Sequence, residues 1–173
     1  GRIDAAVKHQ REAVGLAPAN PQLYCNLATG LQLQGHLQEA LAACDKALEL
    51  EPGLPAAITR QAGILERQGR FQAAVEKLGP LLQDDTVDSG VALAFARISS
   101  HVDKMADGIA LLEGQLAFGN LTDRRKDKMH KLLAKLYDSC GDYERAFSHN
   151  VSAHALRDAR FDPDSHDAEV AAI

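Results

Sequence analysis

The chain has 173 residues, enough for one ordinary domain or one short solenoid. Its 46% hydrophobic content calls for a packed core and argues against disorder, and its net charge of −5 gives no reason to expect nucleic-acid binding. No apolar run approaches the ~18 residues of a membrane span, and the first residues carry no signal-peptide pattern. With no Trp, five Phe and three Tyr, many contacts must be made by Ala and Leu, which suits closely packed helices.

Small residues recur every 34 positions. Gly1, Gly35 and Gly69 form one series; Ala6, Ala40, Ala74 and Gly108 a second; Ala28, Ala62 and Ala96 a third; Pro18 and Pro52 a fourth. A fixed period of this length marks a repeat architecture, each unit one supersecondary piece stacked on the next.

In chain order, residues 1–20 read as half a unit that begins at a turn glycine. Residues 21–54 fill one period, with a first helix over about 22–34 ending at Gly35, because Gly most easily adopts the left-handed conformation past a helix end. A second helix over about 37–50 is ended by Pro52, which lacks an N–H and disfavours helix in the residue before it. Tyr24, Leu27, Ala28 and Leu31 form one apolar stripe, and Leu37, Ala40, Leu41, Cys44, Ala47 and Leu48 form the other. Ala28 and Ala40 are small where the two helices approach, and the pairing recurs as Ala62 with Ala74, Ala96 with Gly108, and Ala134 with Ala146.

Residues 55–88 keep Ala62, Gly69, Phe71 and Ala74. Residues 89–122 depart from the pattern, with Asp103 at the turn glycine and Gln115 at the second Ala. Residues 127–160 restore it with Ala134, Tyr137, Gly141, Tyr143, Ala146 and Ala153. The interval from Ala96 to Ala134 is four residues too long for the period, so an insertion falls near 120–126 and predicts a longer first helix or a longer loop. Residues 161–173 read as a short terminal capping or linker helix from about Pro163, leading to a missing domain, and both ends look cut from something larger.

The pattern Tyr24, Leu27, Ala28, Gly35, Ala40, Ala47 and Pro52 resembles the tetratricopeptide repeat. The resemblance implies an all-α solenoid of about four and a half repeats, antiparallel helix pairs forming a right-handed superhelix. It also implies a concave groove lined by first helices that holds an extended or helical peptide. Carried over by repeat position, the groove residues are Asn26 and Thr29 with Gln22, Cys25 and Leu33 in 21–54. In 55–88 they are Arg60 and Arg67 with Ala56, Thr59 and Gly63. Arg97 and His101 follow with Leu93 and Ala94 in 89–122, then Lys128, Lys131 and Lys135 with Leu132 in 127–160. Asn26 and Arg60 also match two of five positions of the clamp with which some tetratricopeptide repeats grip a carboxylate terminus. No asparagine ladder continues from Asn26, because Arg60, Ala94 and Leu132 follow at its position.

This groove set is cationic within an acidic chain, with Glu66 and Asp138 the main nearby acids. Residues 123–135 hold six Lys or Arg against two Asp, and Arg124, Lys128, Lys131 and Lys135 share one helix face. A concave cationic surface focuses potential and attracts an acidic segment or a carboxylate. The alternative is that these side chains only solubilise an exposed face.

Nothing here reads as an enzyme. There is no Walker loop, GxGxxG or HExxH, and Asp162, Asp164 and His166 lack the glycine and closing Glu of a calcium loop. His149 and His154 point about 140° apart on a helix, and His130 stands at an apolar repeat position, as a partly buried core residue would. Cys25, Cys44 and Cys140 show no CxxC or Cys/His zinc spacing and read as reduced thiols of a cytoplasmic protein. No cofactor or metal is expected. A second resemblance joins Gly141, Asp142, Tyr143, Glu144, Arg145, Ala146, Phe147, Ser148 and His149 to Ala155, Leu156, Arg157, Phe161, Asp162, Pro163 and His166. It is to the last repeat of bacterial tetratricopeptide-repeat sulfotransferases, in which a sulfate-transferring domain follows. The expected function is a protein-binding scaffold for a protein or peptide partner, possibly acidic, with no nucleic acid and no membrane, and with self-association through an uncapped end open. The alternative is the non-catalytic arm of a sulfotransferase.

Overall fold

The computed structural model describes residues 1–83, 86–118 and 120–158. Among them run nine α-helices and no strand: α1 (Arg2–Leu16), α2 (Pro21–Gln34), α3 (Leu37–Leu50), α4 (Pro55–Arg67), α5 (Phe71–Leu82), α6 (Ser89–Ser99), α7 (Met105–Phe118), α8 (Asp123–Ser139) and α9 (Tyr143–Asp158). The short helix expected near Pro163 and the Asp162, Asp164 and His166 cluster lie outside the described residues.

The helix ends form where the sequence places its punctuation. Asn20 caps α2 by accepting the Gln22 N–H at 3.0 Å, with Pro21 as the first helical residue. The α2–α3 turn closes with Gly35 at φ 83° and the His36 N–H donating to the Leu31 carbonyl at 2.9 Å. The same closure repeats from Arg70 to Leu65 and from Asp142 to Tyr137, around Gly69 and Gly141. It also repeats from Lys104 to Ser99 around Asp103, which holds the left-handed conformation at φ 54°. The fourth unit therefore keeps the family turn without its glycine, through a residue type whose short polar side chain tolerates that region.

The insertion is a helical turn. Pro21 precedes Gly35 by the same interval as Pro55 precedes Gly69 and Ser89 precedes Asp103. Asp123 precedes Gly141 by four residues more, and α8 has 17 residues where α6 has 11. The extra residues extend the N-terminus of α8.

Each unit is a helix pair closed by small residues, and Ala28, Ala40, Ala62, Ala74 and Ala96 are completely buried, with Ala134 and Ala146 nearly so. Each unit then packs on the next. Leu37, Leu41 and Cys44 of α3 cluster with Ile64 of α4; Phe71, Val75, Leu78 and Leu82 of α5 with Val91, Phe95 and Ile98 of α6; Met105, Ile109, Leu112 and Leu116 of α7 with Met129, Leu133 and Leu136 of α8. In α9 the matching column is Tyr143, Phe147, Asn150 and His154, and all four are exposed.

Candidate protein-binding groove

The first helices α2, α4, α6 and α8 touch one another in succession, whereas among the described residues the second helices do not. The stack therefore curls toward the first helices, and their outward faces line the concave side.

Two adjoining cavities lie on that side. The larger, about 620 Å³, has Leu93, Leu132 and Leu136 among its lining, with Arg97, His101, Lys128, Lys131 and Lys135 around them and Glu66 as its acid. The other, about 610 Å³, is lined by Arg60, Arg97 and Arg125 with Thr59, Gly63, Gly90, Ala94 and Asp88. Arg97 belongs to both. The structure thus brings together Arg60, Arg97, His101, Lys128, Lys131 and Lys135. Asn26 and Thr29 sit apart, on a shallow hollow of about 330 Å³ beside His9 and Gln10 of α1. The Thr29 hydroxyl is turned back onto its own helix, donating to the Cys25 carbonyl at 2.9 Å.

Cys25 is not a groove residue. It is 3% exposed, packed with Ala47 and Ala57, and burial pushes its thiol up. Cys44, fully buried, is pushed up to about 12 by the same cause.

Several groove cations already have partners. Arg97 of α6 grips Glu66 of α4 with both Nε and Nη2, the latter 2.5 Å from Oε2. Arg67 donates Nη1 to the Gln32 carbonyl at 2.6 Å and so caps the C-terminal end of α2. Lys131 pairs at 2.7 Å with Asp127, one helical turn earlier, which is itself buried and lies 3.9 Å from Arg157 Nε. Among the described residues no acid lies within ion-pair distance of Arg60, Arg125, Lys128 or Lys135. His101 is stacked flat on Phe71, ring centres 4.0 Å apart.

Sequence reasoning missed Arg125, whose Nη1 donates to Ser89 Oγ. It stands on the inserted turn of α8, where the repeat register assigns no role. The same reasoning counted Asp127 in the charge of 123–135 but did not foresee its burial or its pairing with Lys131.

Away from the groove, half-buried His130 of α8 and His149 of α9 meet with Nδ1 atoms 2.9 Å apart, one imidazole donating to the other. Burial first, and for His130 the neighbouring His149 second, holds both below the ordinary histidine value. His149 stacks on Tyr137, whose hydroxyl donates to Glu113 of α7 and whose ring lies under Arg145. His154 faces Arg157 instead. Among the described residues no three His, Cys, Asp or Glu side chains gather as a metal site would require.

Residues 21–54 match the tetratricopeptide repeat family model. The fold is a tetratricopeptide-repeat solenoid. A thermophilic tetratricopeptide-repeat protein of Thermus thermophilus, TTC0263, superposes with a TM-score of 0.77 at 21% identity, over 99% of this chain and 91% of its own. MamA of Desulfovibrio magneticus RS-1, from residue 41 onward, gives 0.69 at 18%, over 94% and 89%. A chain of the APC/C hetero-tetramer Cut9–Hcn1 gives 0.77 at 15%, over 89% of this chain but only 30% of its own. A search of curated protein sequences finds no match. Beyond the matched residues, α4–α5, α6–α7 and α8–α9 repeat the paired arrangement of α2–α3, and α1 packs on α2.

Proposed function

We propose that this solenoid is a non-catalytic scaffold that holds a protein or peptide partner in its concave groove, and that the bound segment is acidic with an apolar face. The observation that carries this reading is the cavity in which Leu93, Leu132 and Leu136 lie among Lys128, Lys131, Lys135 and Arg97. Leucines and cations in one lining fit a segment that presents Leu or Val inward with carboxylates flanking that apolar face. The groove is held by packed helices, so little ordering is lost on binding. That the similar proteins include a subunit of the APC/C hetero-tetramer supports a role in assembly.

Fluorescence anisotropy tests it with a labelled helical peptide carrying a Leu face flanked along both edges by Glu. Lys128→Glu with Lys135→Glu is expected to weaken binding about tenfold at low salt, the difference shrinking toward ~1 M salt as screening shortens to ~3 Å. Equal affinity of the two proteins at low salt overturns the acidic-groove reading. Glu66→Gln, which releases Arg97 from its carboxylate, is expected to tighten the same peptide.

The exposed column on α9 favours one further reading, self-association through that face; light scattering over a dilution series checks it, and a monomer throughout dismisses it. Free thiols at Cys25, Cys44 and Cys140 suit a reducing compartment, and we assign the cytoplasm on that ground. Among the described residues no helix is long and apolar enough to cross a membrane. The role of sulfotransferase arm rests on the resemblance over 141–166 alone, and the coding sequence after Ile173 decides it.

A further inference from the structure

The arginine-lined cavity differs in chemistry from its lysine-lined neighbour. Its cations are guanidinium groups from three consecutive units: Arg60 of α4, Arg97 of α6 and Arg125 of α8. Its floor is small. A Cβ at Gly63 would stand 3.7 Å from Arg97 Nη2, and one at Gly90 would stand 3.8 Å from Arg125 Nη1 but only 2.8 Å from Asp88 Oδ1, so Gly63 keeps the backbone open beside Arg97 while Asp88 fills the space at Gly90.

The charges there are unequally matched. Arg97 is held by Glu66. Arg125 gives Nη1 to Ser89, a neutral hydroxyl, and Arg60 keeps a buried Nε with no partner. Asp88, the acid in the lining, accepts the Gly90 N–H at 2.7 Å with Oδ1 and caps α6. Among the described residues Arg60 and Arg125, one on each side of α6, have no acid within ion-pair distance; Asp88 is the one carboxylate in the lining, against the three guanidinium groups.

A guanidinium is a planar fork that suits oxyanions with several acceptor atoms, whereas an ammonium acts as a point charge. A phosphate monoester carries ≈ −1.5 to −2 charge and three acceptor oxygens, enough to receive two forks at once. A carboxylate has two oxygens and half the charge, and the lysine-lined cavity already serves it. We propose that the arginine cavity is a phosphate subsite, taking a phosphorylated side chain of the partner segment whose acidic stretch lies along the lysines. Arg97 joins the two subsites. This inference rests on the groove reading above.

The test uses the full chain and two labelled peptides, each an acidic, leucine-bearing segment, one with a serine beyond its acidic stretch and one with phosphoserine there. The phosphopeptide is expected to bind at least about tenfold tighter than the serine peptide. Arg60→Lys with Arg125→Lys, which keeps both charges and removes both forks, is expected to remove most of that gain. Lys128→Gln with Lys135→Gln should weaken both peptides alike and preserve their ratio. Inorganic phosphate at matched ionic strength should compete only at concentrations far above the phosphopeptide's. Equal affinity for the two peptides, or a gain that survives the Arg→Lys pair, overturns the subsite while leaving the groove reading intact. Competition by inorganic phosphate at phosphopeptide concentrations makes free phosphate the ligand and overturns the peptide assignment. Binding of neither peptide overturns both readings.

Discussion

Gly108 and Gly114 lie on the same helix, α7, and replacing each by Ala separates packing from helix propensity. A Cβ at Gly114 meets nothing within 4 Å. One at Gly108 would stand 2.9 Å from Ser99 Cβ and 3.1 Å from the Ala96 Cα, and closer still to Ser99 Oγ. Ser99 is fully buried with its hydroxyl bonded to the Ala96 carbonyl, so rotating it away sacrifices that bond and does not relieve the backbone contact. Both substitutions gain the same helix propensity, about 0.8–1 kcal/mol. Only Gly108→Ala also carries the overpacking cost, about 1–3 kcal/mol. Gly114→Ala is therefore expected to stabilise the chain by about 1 kcal/mol, and Gly108→Ala to fall below it by about 1–3 kcal/mol. Urea unfolding followed by circular dichroism reads both midpoints. Equal shifts for the two variants would refute the claim that α6 and α7 meet at Gly108 with no room for a methyl group.

Asp103→Gly removes an L side chain from φ 54° and is expected to raise the urea midpoint by about 0.5–1 kcal/mol of stability; a lowered midpoint counts against strain there. The His130–His149 pair makes stability fall on acidification. Both are held below their unfolded value of 6.5, so their contribution is complete above about pH 6.5 and is lost as pH drops toward the lower folded values. Protonation of either is opposed or aided by Asp127 and Lys126 on α8, Glu113 on α7 and Arg145 on α9. Urea midpoints at pH 7.5 and 5.5 should differ, less so in His149→Gln, and a flat profile contradicts the assignment. Iodoacetamide should label exposed Cys140 in the folded chain and reach Cys25 and Cys44 only after unfolding; labelling of Cys25 at the rate of Cys140 would put it back in the groove.

Most of the fold can be read from the residues because a repeat states its rule several times. Gly35, Gly69 and Gly141 mark three turns, and the fourth follows from the interval even though Asp103 occupies it. The 34-residue period also exposes the insertion, since Ala134 arrives four residues late. What the period cannot carry is what differs between units. Position alone placed Cys25 in the groove, but Ala47 and Ala57 close over it. The run of cations in 123–135 reads as a single positive face, yet Asp127 lies within it and takes Lys131. Glu66 was visible as a nearby acid. That it would occupy Arg97 depends on how two units stack, which no single repeat encodes. The same holds for Arg125 and for the facing imidazoles of His130 and His149, which stand 19 residues apart.

The uncovered column of α9 has a consequence for the groove. In a stacked array, stability is close to a sum of unit terms and nearest-neighbour couplings. Among the described residues Tyr143, Phe147, Asn150 and His154 are exposed, and α8 is coupled to the unit before it through α6 and α7. Local opening falls where such couplings are few. Lys128, Lys131 and Lys135 ride on α8, while Arg97 and Leu93 belong to the unit before it. A ligand lying across that boundary acts as a clasp: it ties α8 to the unit before it through Lys128, Lys131 and Lys135 on one side and Arg97 and Leu93 on the other. Amide exchange in α6 and α8, which the ligand bridges, should then slow on binding far more than in α2 and α3, so the boundary between two units becomes the part that reports occupancy.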